Sequence, residues 1–210
     1  MRSWSISWFA GMSVQQKRKS IAALHDAARK KGIHPVLEIS TKSTTELGRA
    51  LSAFNLKLAL KDGRQISVEA AYQGGKVFDQ GGPYLDLYAL PGKQIKADPR
   101  LYNSGGLIAF EFQDQRWALE PKTAFYDWLY LNALTSNPEL SAELLKYNGF
   151  TDIEFNPAKS INCQARAAAL FVALHRQDRL DTALTNQQAF LETTGGIEFG
   201  SDYKQTTFLT

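Results

Sequence analysis

Apolar positions recur along this chain with two periods, and the switches between them lay out its elements. Serines interleave with Trp4, Ile6 and Trp8, a period of two that predicts a strand. Ile21, Leu24 and Ala28 then fall at helical spacing between Ser13, which suits an N-cap, and Gly32, which suits a C-cap. The closing Arg29, Lys30 and Lys31 match the negative end of that helix's dipole. A short strand is expected over 36–39, and Thr44 or Thr45 opens a helix through Leu47 and Leu51 toward Phe54. Leu56, Leu58 and Leu60 alternate with Lys57, Ala59 and Lys61 before Asp62-Gly63 turns the chain into Ile66 and Val68, the strongest hairpin signal present.

A second hairpin is expected over 107–112, returning through Arg116 and Trp117. Pro121 suits the first turn of a helix over 122–134. Asn137-Pro138-Glu139 opens the next helix, which Asn148-Gly149 ends before a strand over 150–155. Helices at 162–176 and 185–192 follow, and the polar ending from 195 to 210 is expected to fray. Helices interspersed with antiparallel hairpins predict an α+β class, mainly helical, in one domain spanning 1–210 with its core over about 8–192.

Composition narrows the function classes. The 210 residues are 44% hydrophobic and 21% charged, the balance of a globular protein that needs neither metal nor cross-link to fold. The single cysteine, Cys163, cannot form an internal disulfide. No apolar run reaches the ~18 residues of a membrane span, so no membrane partner is expected and the cytoplasm is the expected location. His25, His34 and His175 are scattered without metal-ligand spacing, and the glycine pairs match neither a dinucleotide fingerprint nor a P-loop. Neither a metal nor a cofactor is expected. The net charge of +3 is unevenly spread: Arg2, Lys17, Arg18, Lys19, Arg29, Lys30 and Lys31 are opposed only by Asp26 over the first 31 residues. Such a stripe is a solvated helix face or a surface that tracks phosphates.

Three groups of residues carry chemistry. In Glu69-Ala-Ala-Tyr-Gln-Gly-Gly-Lys76-Val-Phe78, a continuous helix would align Glu69, Gln73 and Lys76 at i, i+4 and i+7 on one face. A plain surface face explains the same spacing, but glycine within a helix costs about 1 kcal/mol relative to alanine, which points to a close approach by something at Gly74-Gly75. Arg116, Trp117, Lys122, Tyr126, Asp127 and Trp128 form an aromatic and charged group able to sandwich a base or ribose, although aromatic residues at helical spacing also build cores. Asp152, Glu154, Asn156, Asn162, Gln164 and Arg166 cluster where a strand passes through a loop into a helix. Pro157 and Ser160 fit turn and cap roles there, and Arg166 is placed to meet a phosphate.

Phe54-Asn55, Glu69 to Lys76, Trp117 and Asn137-Pro138-Glu139-Leu140 resemble the ordered motifs of the NADAR (YbiA-like) superfamily. The resemblance tightens in Leu51-Ser-Ala-Phe-Asn-Leu56, Gly81-Gly-Pro-Tyr84, Glu120-Pro-Lys-Thr-Ala-Phe-Tyr-Asp-Trp-Leu-Tyr130, Phe150-Thr-Asp-Ile-Glu-Phe-Asn-Pro157 and Ser160-Ile-Asn-Cys-Gln-Ala-Arg166. These runs look like the NADAR antitoxins paired with DarT toxins, over about 8–192. The chain departs from the superfamily at Ala70, where a His follows the motif Glu, at Val77, which separates Lys76 from Phe78, and at 159–162, where an acidic Trp-Gly loop is missing.

The resemblance implies a NADAR-type fold and hydrolysis of an N-glycosidic bond, removing ADP-ribose from guanine in DNA, with free ADP-ribose as product, a DarT-type toxin as functional partner and single-stranded DNA as the expected form. It gives Glu69 and Lys76 catalytic roles, and substrate-binding roles to Phe54, Asn55, Gln73, Tyr84, Trp117, Asp127, Glu154, Asn162, Gln164 and Arg166. The basic N-terminal helix would steer the DNA strand. Two rival readings are a YbiA-like glycosidase acting on a riboflavin-pathway intermediate, which the missing acidic loop disfavours, and a module that binds ADP-ribose or the toxin without turnover.

Overall fold

A computed structural model describes residues 13–156 and 160–195. The expected strand around Trp4, Ile6 and Trp8, the residues Pro157 and Lys159, and the tail beyond Gly195 lie outside them. Helix α1 (Val14–Arg29) opens on a capping box, in which Gln16 N–H donates to the Ser13 side chain and the Gln16 side chain accepts from Ser13 N–H. Gly32 follows at φ +78°, the left-handed position that glycine takes without strain. Strand β1 (Val36–Glu38) and α2 (Glu46–Ala50), capped by Thr45, come next. The first predicted hairpin forms from β2 (Lys57–Ala59) and β3 (Gln65–Ser67), turning at Gly63 with φ +84°.

Helix α3 covers only Val68–Gly74, and Lys76–Phe78 is strand β4. This corrects the expectation of one helix carrying Glu69, Gln73 and Lys76. The glycine pair is the break: Gly74 C=O accepts from Tyr84 N–H and Gly75 C=O from Glu111 N–H, so these carbonyls face outside partners. A Cβ on Gly75 would stand 2.7 Å from the Glu111 carbonyl oxygen, and one on Gly74 2.5 Å from the Tyr88 ring. The close approach inferred from the glycines is therefore present, but it ends the helix.

After a 3-10 turn (Leu85–Ala89) come two short helices that the apolar pattern does not predict, α4 (Gly92–Ala97) and α5 (Arg100–Asn103). The second predicted hairpin, β5 (Leu107–Phe112) and β6 (Gln115–Trp117), takes β4 as a third antiparallel strand in the order β4-β5-β6. Helix α6 (Ala124–Thr135) begins three residues beyond Pro121, so that proline precedes the helix and its carbonyl accepts from Ala124 N–H. Then follow α7 (Pro138–Leu144), β7 (Gly149–Thr151), α8 (Gln164–Arg176), α9 (Leu180–Leu184) and α10 (Gln187–Thr194).

The result is α+β and mainly helical, as the pattern predicts, with α6 at its centre. Leu129, Tyr130, Leu131, Ala133 and Leu134 of α6 are each 0% exposed. The arrangement also contains one parallel pair: β7 lies beside β1, with Leu37 opposite Phe150 and Glu38 opposite Thr151. Strand β7 stops at Thr151 because side chains then replace the ladder. Ile153 N–H donates to Glu38 Oε1 and Glu154 N–H to Asp152 Oδ1. Among the described residues no helix is long and apolar enough to cross a membrane.

Candidate active-site cleft

Three parts of the fold meet around a cleft of about 300 Å³: the turn after α2, one face of α3 with α4 beside it, and the segment between β7 and α8. Its walls include Phe54, Glu69, Tyr72, Gln73, Lys96, Tyr126, Asp152, Glu154, Asn162 and Gln164. A wider depression of about 430 Å³ lies at the α1–β1 junction, but its lining, which includes His25, Arg29 and His34, contains no carboxylate. The smaller cleft is the candidate site, since polar groups converge on it from separate elements.

Glu69 occupies the first turn of α3, which Ser67 caps by accepting from Ala70 N–H. It is only 6% exposed. Gln73, one turn on, donates from Nε2 to Glu69 Oε1 at 3.0 Å, as the i, i+4 spacing predicts. Lys96 Nζ approaches the same Oε1 at 3.4 Å. Both partners engage one oxygen, so among the described residues Oε2 is left without a hydrogen bond.

The facing wall is tied to this one through a single residue, Ala53. Glu69 N–H donates to the Ala53 carbonyl at 2.8 Å, and Ala53 N–H donates to Gln164 Oε1 at 2.6 Å. Gln164 in turn donates from Nε2 to Asp152 Oδ2 at 3.1 Å, and its backbone N–H, the first of α8, reaches the same oxygen at 3.3 Å. Burial pushes the Asp152 carboxyl up to about 6, against the N–H bonds from Gln164 and Glu154 that favour its charged form. Glu154 closes the rim by accepting Thr41 N–H and Oγ1–H on Oε2. Burial, with the Asp152 charge adding to it, raises the Cys163 thiol to about 12, so no thiolate nucleophile is available here.

Six of the twelve residues singled out in the sequence line the cleft: Phe54, Glu69, Gln73, Glu154, Asn162 and Gln164. The others do not. Lys76 leaves the predicted helix face for β4 and lies over the Tyr72 ring, 5.2 Å from its centroid. Burial lowers the pKa of its amine, the Lys96 charge lowers it further and the Glu69 charge opposes both.

Asn55 turns back to donate its amide to the Arg49 carbonyl at the end of α2. Tyr84 stands on the other side of the glycine pair, its hydroxyl sharing a hydrogen bond with Ser104 and its ring 4.6 Å beneath the Arg100 guanidinium. Trp117 is 1% exposed and packed among Phe125, Trp128 and Phe190, so its ring is a core element and not a stacking platform for a ligand. Arg166 binds Asp127 and Thr123 instead of facing the cleft, and Asp127, 3% exposed, is enclosed by that pair.

The cleft also contains residues that did not emerge as site candidates. Tyr72 sits inside the quoted α3 motif, and Tyr126 and Asp152 belong to the two polar groups picked out beside it, so signals for all three were present. Lys96 had none, since Gly92–Ala97 shows no apolar period and belongs to no motif.

No curated protein matches the chain. The model of one family, the DarT1-associated NADAR antitoxin, matches residues 2–203. With nearly all of its length matched, the chain belongs to the family of DarT1-associated NADAR antitoxins.

Proposed function

We propose that the protein hydrolyses the N-glycosidic bond between ADP-ribose and guanine in DNA, undoing the modification made by the DarT-type toxin with which its family is associated. The observation that carries this reading is Glu69: a nearly buried carboxylate, with one oxygen unengaged among the described residues, lining a cleft that also holds a second acid, Asp152. Breaking the bond from ribose C1 to nitrogen leaves positive charge on C1 and the ring oxygen while the base departs with the electron pair. A fixed carboxylate in a dry wall stabilises that charge without reorganising. The departing base needs a proton, and Asp152, raised to about 6, holds one in a useful fraction of molecules near neutrality.

Lys76 supports a covalent variant of the same chemistry. Its lowered pKa makes more of the free amine available to attack C1 as the guanine nitrogen leaves with the bonding pair and takes a proton. The C1–ring-oxygen bond then opens, its oxygen taking the amine's proton, and the resulting imine is hydrolysed by water to free ADP-ribose and the amine. The amine stacks over Tyr72, a lining residue, next to the cleft. A flipped or single-stranded guanine suits a cleft of this size, because a stacked base cannot enter it.

The test is release. Oligonucleotides carrying ADP-ribose on guanine, and in parallel on thymine, are incubated with the protein and both products weighed by mass spectrometry. Free ADP-ribose and unmodified guanine are expected from the first alone. Tight binding with no release from either would overturn the hydrolase reading in favour of a binding module. For the covalent variant, borohydride is expected to trap an adduct that Lys76→Ala abolishes; an adduct unaffected by that substitution would remove Lys76 from the reaction.

A further inference from the structure

We propose that Lys96 is the residue by which the cleft recognises the phosphate-bearing part of its substrate, exchanging Glu69 for that anion as the substrate enters. The inference rests on the functional reading above and adds to it a specificity-determining residue.

The charge inventory raises the question. The cleft presents the carboxylates of Glu69, Asp152 and Glu154, and among the described residues Lys96 is the cation in its lining. A substrate built on a diphosphate meets a negative wall there unless a cation receives it. Arg166, which binds Asp127 and Thr123, and Lys76, which lies over the Tyr72 ring, are not among the residues that line the cleft.

The geometry of Lys96 fits an exchangeable contact. At 3.4 Å its ammonium is farther from Glu69 than the 2.7–2.9 Å of a charge-assisted hydrogen bond. The lysine side chain is 51% exposed while that of Glu69 is 8% exposed, so the cation reaches solvent and the carboxylate does not. Replacing one anionic partner with another at such a position breaks no closely fitted bond.

Lys96 is also held where an incoming anion would pass. Its ammonium rests 4.6 Å from the centre of the Phe54 ring, itself a lining residue. That ring sits against Gly92 at the start of the same helix, and a Cβ at Gly92 would come within 2.3 Å of it. Helix α4 thus supplies both the seat for Phe54 and the lysine above it. Moving Lys96 onto a phosphate leaves Glu69 with Gln73 as its partner and opens it toward the sugar.

Calorimetric titration of ADP-ribose into the wild-type protein and Lys96→Met, Lys96→Arg and Lys93→Met, at low and high salt, tests this. Lys96→Met is expected to weaken binding about tenfold or more, to remove most of its salt dependence and to raise KM on modified DNA while kcat stays within about threefold. Lys96→Arg, which keeps the charge, is expected to stay within about threefold of wild type. Lys93, an exposed lysine of the same helix outside the cleft lining, is expected to be silent on substitution. Lys96→Met binding ADP-ribose as wild type does, with the same salt dependence, would overturn the inference and leave the hydrolase reading intact. Wild type that neither binds ADP-ribose nor releases it from DNA would overturn both.

Discussion

Glu69 and Asp127 are two acids with nearly the same surroundings by any simple count. Each is almost buried, at 6% and 3% exposed, each sits in the first turn of a helix, and each is ion-paired with a basic side chain. The difference lies in how the pairs close. Asp127 is bound directly on Oδ2 by Arg166, which also donates to Thr123, while its Oδ1 is buried without a hydrogen-bond partner and away from the cleft lining; burial raises its pKa against the pull of that arginine. Glu69 shares one oxygen with Gln73 and a loosely held, half-exposed Lys96, and lines a cleft. A closed pair is structure, because removing either member strands the other. An open pair beside a cavity leaves a charge available to a substrate.

Substitutions at the two acids should therefore separate activity from stability. The largest effect is expected for Glu69→Gln, which keeps the shape and the contact with Lys96 or Gln73 but loses the charge: kcat for ADP-ribose release should fall by about 10³-fold or more with the melting temperature little changed. Asp127→Asn should do the reverse, costing about 3 kcal/mol of stability in denaturant titrations while turnover per folded molecule stays within a few-fold. Gln164→Leu probes the brace between the walls. It strands the buried Ala53 N–H, so a loss of about 1–3 kcal/mol is expected together with a drop in kcat, as Glu69 and Asp152 lose their shared tether.

A further expected effect concerns pH. Burial holds the Asp152 carboxyl at about 6 against its ordinary 3.8, so the folded protein binds that proton more tightly than the unfolded chain. Its contribution to stability is present below about pH 4 and lost as pH rises through about 6. Wild type should accordingly lose stability relative to Asp152→Asn across that window, measured by chemical denaturation at each pH. Parallel curves would show that Asp152 titrates as an ordinary carboxyl.

The same contrast explains what the sequence makes legible. Local signals reported themselves faithfully: the Ser13 and Thr45 caps, the Asp62-Gly63 hairpin and the i, i+4 bond from Gln73 to Glu69 all depend on residues a few positions apart. The parallel β1–β7 pair joins segments more than a hundred residues apart, and no local period encodes it. Lys76 was misplaced because spacing continued a helix through Gly74-Gly75, where outside partners take the carbonyls.

Trp117 carries a side chain that suits a ligand equally well, and only the packing of Phe190 and Trp128 around it shows that it serves the core; Arg166, equally suited to a phosphate, is paired with Asp127. Lys96 escaped notice for the converse reason. Its importance comes from the position of α4 beside α3, not from its neighbours in the chain.

The most direct measurement is single-turnover release of ADP-ribose from a guanine-modified oligonucleotide by Glu69→Gln and Asp127→Asn side by side, with each rate divided by the folded fraction. Collapse of the first with near wild-type turnover in the second is the predicted result. Full activity in folded Glu69→Gln would contradict the placement of the chemistry at this cleft.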